Sequence, residues 1–297
     1  MSRWPDLIII GAMKCATSTL HEQLALQPGI FMSEPKEPNF FSNDEEYRRG
    51  PSWYQGLFQT AQQNSLCGES STHYTKLPTY PATIERMQKH LPATVKFIYV
   101  MRHPIDRLVS QYIHEWTQRL VDVPIDQAID TLPILVDYSR YAMQLEPFIE
   151  AFGRERILPM FFERLTSNAQ DELERTCRFI GYNGSPRWDE SVGEQNASSQ
   201  RLRKSGVRDA VINLPGLKWM RRTLVPQSMR DRVKGMWTMK QRPELSADNI
   251  ARLTAIFDED LARLGTWLGL NLTCVNFKKI ARQSPPNWAP INRASVA

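Results

Sequence analysis

The first twenty residues constrain this chain more than any other stretch. Leu7-Ile8-Ile9-Ile10 is a short apolar run that stops at Gly11, Lys14 follows soon after, and Thr17, Ser18 and Thr19 lead through Leu20 into an amphipathic segment. That order predicts a buried strand, a tight turn and a helix start. Backbone N–H groups at such a turn converge on one space, and the helix N-terminus adds partial positive charge. With a lysine and three hydroxyls in the same turn, the stretch Gly11, Ala12, Met13, Lys14, Cys15, Ala16, Thr17, Ser18 and Thr19 becomes a candidate seat for a phosphate-like anion.

The spacing narrows which anion. A nucleoside-triphosphatase loop reads G-x-x-x-x-G-K-[ST], with the lysine directly after the second glycine and a hydroxyl for magnesium beside it. Here Lys14 comes early and Ala16 stands where a second glycine is expected. The β-rich run Lys96–Met101 ends in Arg102-His103-Pro104 instead of the aspartate that helps to hold Mg²⁺. The architecture is that of a phosphate loop, but the residues do not suit ATP chemistry.

Pro104 suits a first helical position. Ile105, Leu108, Val109, Tyr112, Ile113 and Trp116 then recur as one helix face, which puts Ser110 on the polar flank, within reach of a ligand that Arg102 also meets. Taken singly, Arg102 reads better as a strand-end cap and Ser110 as a solvated side chain.

Together these residues carry a resemblance. Gly11-Ala12-Met13-Lys14-Cys15-Ala16-Thr17-Ser18 resembles the 5′-phosphosulfate loop of sulfotransferases that use 3′-phosphoadenosine 5′-phosphosulfate (PAPS). Val100 to Tyr112 resembles the 3′-phosphate motif of the same family, with Arg102 and Ser110 at the matching positions, roughly 90 residues downstream. Lys36-Glu37-Pro38-Asn39-Phe40-Phe41, Tyr47 to Tyr54, and Gly68-Glu69-Ser70-Ser71-Thr72-His73-Tyr74 are similar to segments of heparan-sulfate-type members. The likeness is strong over about residues 7–120 and general beyond. Departures fall at Ser70, where glycosaminoglycan enzymes carry lysine, and at Asn39 and Ser42; they bear on the acceptor, not on the donor.

The resemblance implies in-line sulfuryl transfer from PAPS to a hydroxyl or amine, the expected acceptor being a carbohydrate, with 3′,5′-ADP leaving. The transferred group carries less negative charge than a phosphoryl group, so a lysine and backbone N–H groups can stabilise the leaving oxygen with no metal required. Lys14 takes that role, helped by Thr17, Ser18 and the loop amides, while Arg102 and Ser110 hold the 3′-phosphate. Glu37 matches the family's general base, and His73 is a competing base. Lys240 and Arg242 sit near a family segment that touches the cofactor's phosphate, although Gln241 replaces its glycine. Alternative readings are transfer to a lipid, a phenol or a carrier-bound small molecule, a small-molecule kinase of related fold, and a non-catalytic binding protein.

Composition fits a globular enzyme that binds anions. The chain has 297 residues, 41% hydrophobic and 23% charged, and a net charge of +5, which suits an anionic cofactor and acceptor. No basic helix with aromatic interleaving or zinc pattern points to nucleic acid. Cys15, Cys67, Cys177 and Cys274 have no CxxC spacing, so neither a disulfide framework nor a metal site is expected. No apolar run approaches the roughly 20 residues of a membrane span. With the resemblance, this implies a bacterial cytoplasmic enzyme or, as the alternative, the catalytic part of a Golgi-lumen one.

The remaining pattern predicts a single domain over 1–297, with a P-loop-like three-layer α/β/α core, a central parallel sheet and the ligand at the strands' carboxyl ends. The nucleotide core spans about 5–182, and a variable basic tail with a final helix spans about 183–297. Asp137–Phe152 and Glu163–Ile180 read as helices, the second ending at Gly181. Arg156–Phe162 reads as a strand that Pro159 places at an edge. A final helix is capped near Ser246 with Ile250, Leu253, Ile256, Leu261 and Leu264 as its apolar face. The basic run Arg201, Arg203, Lys204, Arg208, Lys218, Arg221, Arg222, Arg230, Arg232 and Lys234 is either a solvated face or a segment that closes over the cofactor.

Overall fold

A computed structural model describes residues 3–192 and 242–290. The basic run from Arg201 to Lys234 and Lys240 lie outside the described residues. Five strands form one parallel sheet: β1 (Leu7–Gly11), β2 (Ile30–Met32), β3 (Leu66–Ser70), β4 (Lys96–Met101) and β5 (Ile157–Phe161), in the order β2-β3-β1-β4-β5. β1 is central and buried along its whole length, as an unbroken apolar run in a parallel sheet must be. β5 is an edge strand, and Pro159, which has no N–H to donate, is tolerated there.

α1 (Thr17–Ala25) follows β1; α2 (Asp44–Arg48) and α3 (Pro51–Gly56) lie between β2 and β3; α4 (Thr83–His90) precedes β4. α5 (Pro104–Thr117), α6 (Ile125–Thr131), α7 (Ile134–Asp137) and α8 (Tyr141–Phe152) connect β4 to β5. α9 (Phe162–Ser167), α10 (Ala169–Ile180), α11 (Ala247–Leu268) and α12 (Phe277–Gln283) follow. The β1–β2 connection crosses the sheet in one direction, and β3–β4 and β4–β5 in the other. Right-handed crossovers therefore place α1 on one face and α4 to α8 on the opposite face. α10 packs on α1, whereas α4 and α11 pack on α8. This is the three-layer α/β/α arrangement expected from the sequence as a whole.

Three expected elements differ. The helix expected over 137–152 starts at Tyr141, because α8 has no local side-chain cap. Its first amides are held instead by Asp260 of α11, which accepts from Ala142 N at 2.9 Å and Met143 N at 3.1 Å. The helix expected over 163–180 is two helices broken at Asn168; serine and asparagine there offer the backbone alternatives to helical bonding. It does end at Gly181 in the left-handed conformation, at φ 78°. On α11 the cap is Ser246, as expected, but Ile250 is exposed, and Phe257 and Leu268 complete the buried stripe instead.

The turn-rich stretch after Gly181 runs back across α1. Gln23 and Gln27 each make a pair of amide bonds with it, to the backbone of Asp189 and of Arg187, at 2.8–3.0 Å. The four cysteines are buried and free. Among the described residues, no helix is long and apolar enough to cross a membrane.

Candidate active site

The carboxyl ends of β1, β3 and β4 open into a cavity of about 1090 Å³. One end is the β1–α1 turn. Gly11 is required there: a Cβ would sit 2.0 Å from Thr75 Oγ1, which already donates to Ile10 O at 2.7 Å. Lys14 and Ala16 take left-handed backbone conformations, at φ 73° and 61°. Ala16 is the N-cap of α1 and supplies no capping side chain, so the first-turn amides face the cavity without a side-chain acceptor. Met13, Lys14, Ala16, Thr17, Ser18 and Thr19 line it.

Three members of the expected seat do not line the cavity. Gly11 lies behind the turn against Thr75 and Tyr99. Ala12 is buried, with its N–H donating to Val100 O, and the N–H of Cys15 is turned back to Ala12 O. Burial pushes the Cys15 thiol up to about 12. These residues shape the turn and lie behind the cavity wall.

Arg102 and Ser110 line the same cavity, although Lys14 and Arg102 are 88 positions apart in the chain. Arg102 donates to Lys14 O at 3.4 Å and lies 4.4 Å over the ring of Phe162. Its backbone N–H donates to Tyr141 Oη, which donates in turn to Arg102 O. Its Nε is buried with no hydrogen-bond partner among the described residues. Ser110 is buried, not solvated, because α5 is covered on nearly all sides. Arg242 reaches the rim, where it pairs with Asp106 at 3.3 Å, a carboxylate it shares with Lys278.

A third wall comes from the loop after β2 and the turn after β3. Glu37 accepts from Lys36 Nζ at 3.0 Å and from Thr72 Oγ1 at 3.0 and 3.2 Å. Burial raises its carboxyl, but Lys36, Lys76 and the Thr72 hydroxyl outweigh that and hold it below the usual carboxylate range. His73 stacks on Tyr80 at 4.7 Å, and its Nδ1 is buried without a partner among the described residues. Burial, reinforced by Lys76, lowers its imidazole to about 4, so it is neutral at physiological pH.

Lys76 is a site residue that the sequence pattern does not single out. It lines the cavity at 9% exposure, and burial lowers its ammonium to about 8 while Glu37 opposes the shift. It forms no ion pair with any described residue, and its ammonium lies 5.7 Å from the ring of Tyr138. The one available signal is position: Lys76 lies two residues beyond the Glu69–Tyr74 segment. Ser70 is buried and bonded to His21 Nδ1 at 2.8 Å.

The profile of the sulfotransferase domain family matches residues 4–265. Among similar proteins, mouse heparan sulfate glucosamine 3-O-sulfotransferase 3A1 is 31% identical over 187 residues, covering 60% of this chain and 46% of its own length. The human 3-O-sulfotransferase 3B1 is 30% identical over the same 60% and 46% shares. The chain thus spans about half the length of the curated relatives it matches. The crystal structure of a sulfotransferase from Alicyclobacillus acidocaldarius superposes with a TM-score of 0.64 at 22% identity, over 91% of this chain and 98% of that one, a likeness of fold. With the matched region running from ahead of the first turn to the last long helix, and both the β1–α1 turn and the Arg102–Ser110 segment inside it, the chain belongs to the family of PAPS-dependent sulfotransferases.

Proposed function

We propose that this protein transfers the sulfuryl group of PAPS to a hydroxyl or amine of a carbohydrate acceptor. The observation that carries this reading is the convergence of two cationic ends on one cavity: Lys14 with the α1 N-terminus, and Arg102 with Ser110. The residues suit a doubly anionic nucleotide. Among the described residues, Arg102 Nε is a buried donor with no partner, and Lys76 is a buried cation that feels the Glu37 carboxylate beside it. PAPS, when bound, supplies the activated sulfuryl group.

In this reading, Thr17, Ser18 and the amides of the first α1 turn hold the 5′ end of the donor. Lys14 stabilises charge on the leaving oxygen. Arg102 and Ser110 hold the 3′-phosphate, the contact that separates PAPS from ATP. Glu37 takes the acceptor's proton. It is ionised at neutral pH, and Lys36 and Thr72 fix its carboxylate at the cavity wall. His73 is the weaker choice because its Nδ1 is enclosed and its ring is stacked. Lys76 places a second cation beside Glu37, where the sulfuryl oxygens pass. Arg242 is proposed to leave Asp106 for a phosphate of the donor. The carbohydrate acceptor is supported by the heparan sulfate enzymes among the relatives.

Titration calorimetry with 3′,5′-ADP, ATP and 5′-AMP tests the donor. At least tenfold tighter binding of 3′,5′-ADP is expected, and a preference for ATP overturns the reading. Labelled PAPS offered to mixed glycan, phenolic and lipid acceptors, read by mass, tests the acceptor. Label that moves only to a phenol or lipid removes the carbohydrate assignment.

A further inference from the structure

Glu37 stands on an unusual backbone. Glu37 and Asn39 have φ of 35° and 52°, a region that side-chain-bearing residues rarely occupy. Something outside the loop must therefore hold it. The Asn39 N–H donates to Ser71 Oγ at 3.0 Å, and Ser71 Oγ donates to Glu69 Oε2 at 2.8 Å. The other oxygen, Glu69 Oε1, accepts from Tyr54 Oη of α3 at 3.0 Å. Glu69, Ser71 and Tyr54 are all fully buried. From Asn39 a side-chain bond returns to Glu37 O at 3.1 Å, and Thr72, next to Ser71, grips the Glu37 carboxylate itself.

We propose that Glu69 is a positioning residue: through Ser71 and Asn39 it holds the Glu37 loop in the conformation that presents the base to the cavity. The carboxylate matters because Ser71 has one proton. Committing that proton to Glu69 turns a lone pair toward the Asn39 N–H. The alternation of side chains along β3 makes the division possible: Ser70 faces His21 of α1, while Glu69 faces Tyr54 of α3 on the opposite side. The charged and titratable groups that face Glu69 are Tyr54, Tyr74 and the carboxylate of Glu37. Burial raises the Glu69 carboxyl to about 7, against the pull of the surrounding hydroxyls. The link is therefore complete above that pH and weakens as pH falls through it.

This inference rests on the reading of Glu37 as base, and its test separates the two. In Ser71→Ala, amide hydrogen exchange across residues 37–41 should quicken about tenfold. Affinity for 3′,5′-ADP should stay within twofold, and single-turnover release of 3′,5′-ADP from PAPS, with water as acceptor, should fall about tenfold to a hundredfold. In Glu69→Gln the turnover should be low, without the acid limb near pH 7 that is expected of the wild-type chain. A purely structural role would lower nucleotide affinity and turnover together and leave the shape of the pH profile unchanged. Unaltered exchange across 37–41 in Ser71→Ala overturns the proposal, as does faster exchange with full turnover while Glu37→Gln is inactive. If Glu37→Gln itself turns over normally, the base assignment fails, and the link to Glu69 is then judged by exchange alone.

Discussion

The turn from Gly11 to Thr19 and the wall formed by Glu37, Thr72, His73 and Lys76 face the same cavity but are held in opposite ways. The turn is made by backbone conformation: a strand that ends at Gly11, an uncapped helix that begins at Thr17, and a glycine whose missing Cβ leaves room for Thr75. The wall has no regular element under Glu37. That residue is placed by Thr72 and, through Asn39 and Ser71, by Glu69, partners drawn from the next strand and the turn beyond it. Backbone geometry sets the first region, whereas side-chain bonds across the fold set the second. The donor side should therefore tolerate distant change, and the acceptor side should not.

That contrast can be broken most directly at Glu37. Glu37→Gln should lower turnover by about 10²–10⁴ and leave 3′,5′-ADP affinity within twofold; a matching loss of affinity would place Glu37 on the donor side after all. Lys14→Ala should cost about 10²–10³ in turnover and also weaken nucleotide binding, measured by single-turnover kinetics and calorimetry together. Arg102→Ala should weaken 3′,5′-ADP about tenfold to a hundredfold, the worth of a charge-assisted hydrogen bond, with turnover at saturating PAPS nearly intact. Unchanged nucleotide affinity in that variant would remove Arg102 from the site.

The smallest effect concerns Glu69. Its carboxyl stands at about 7 in the fold against an ordinary 4.5. Folding therefore takes up a proton between these values, and the wild-type chain loses stability as pH rises through that window. Glu69→Gln removes the loss. Relative to wild type, its melting temperature should be higher at pH 8 than at pH 5 by ~5–10 °C, since such a shift is worth about 2.5 kcal/mol across that range and each kcal/mol moves a domain of this kind by ~2–4 °C. A constant difference across that range would show that Glu69 is not buried as a titrating carboxyl.

Much of this architecture is legible in the amino-acid order itself. Leu7–Ile10 is apolar without interruption because both faces of a central parallel strand are covered. Pro104 and Ser246 mark helix starts through chemistry that acts within one turn. The helix start at Tyr141 is not legible, because its cap, Asp260, lies 118 residues later. The break at Asn168 hides under an apolar pattern that continues through it. The burial of Ser110, on the polar flank of its helix, is not legible either, because periodicity describes one helix and says nothing of what packs on its other side.

Local order along the chain was enough to determine the α/β core and the strand–turn–helix at Gly11 to Thr19, since strand, turn and helix signals depend on neighbours a few positions apart, whereas joining Lys14 to Arg102 and Ser110 took the resemblance between two distant motifs and one family. Only the tertiary structure decided that Lys76 stands beside Glu37 without an ion pair among the described residues, that Cys15 faces inward, and that the buried Glu69 carboxyl bonds to the serine that holds the Glu37 loop. Those outcomes depend on burial and on contacts between distant segments, which a one-dimensional pattern does not contain.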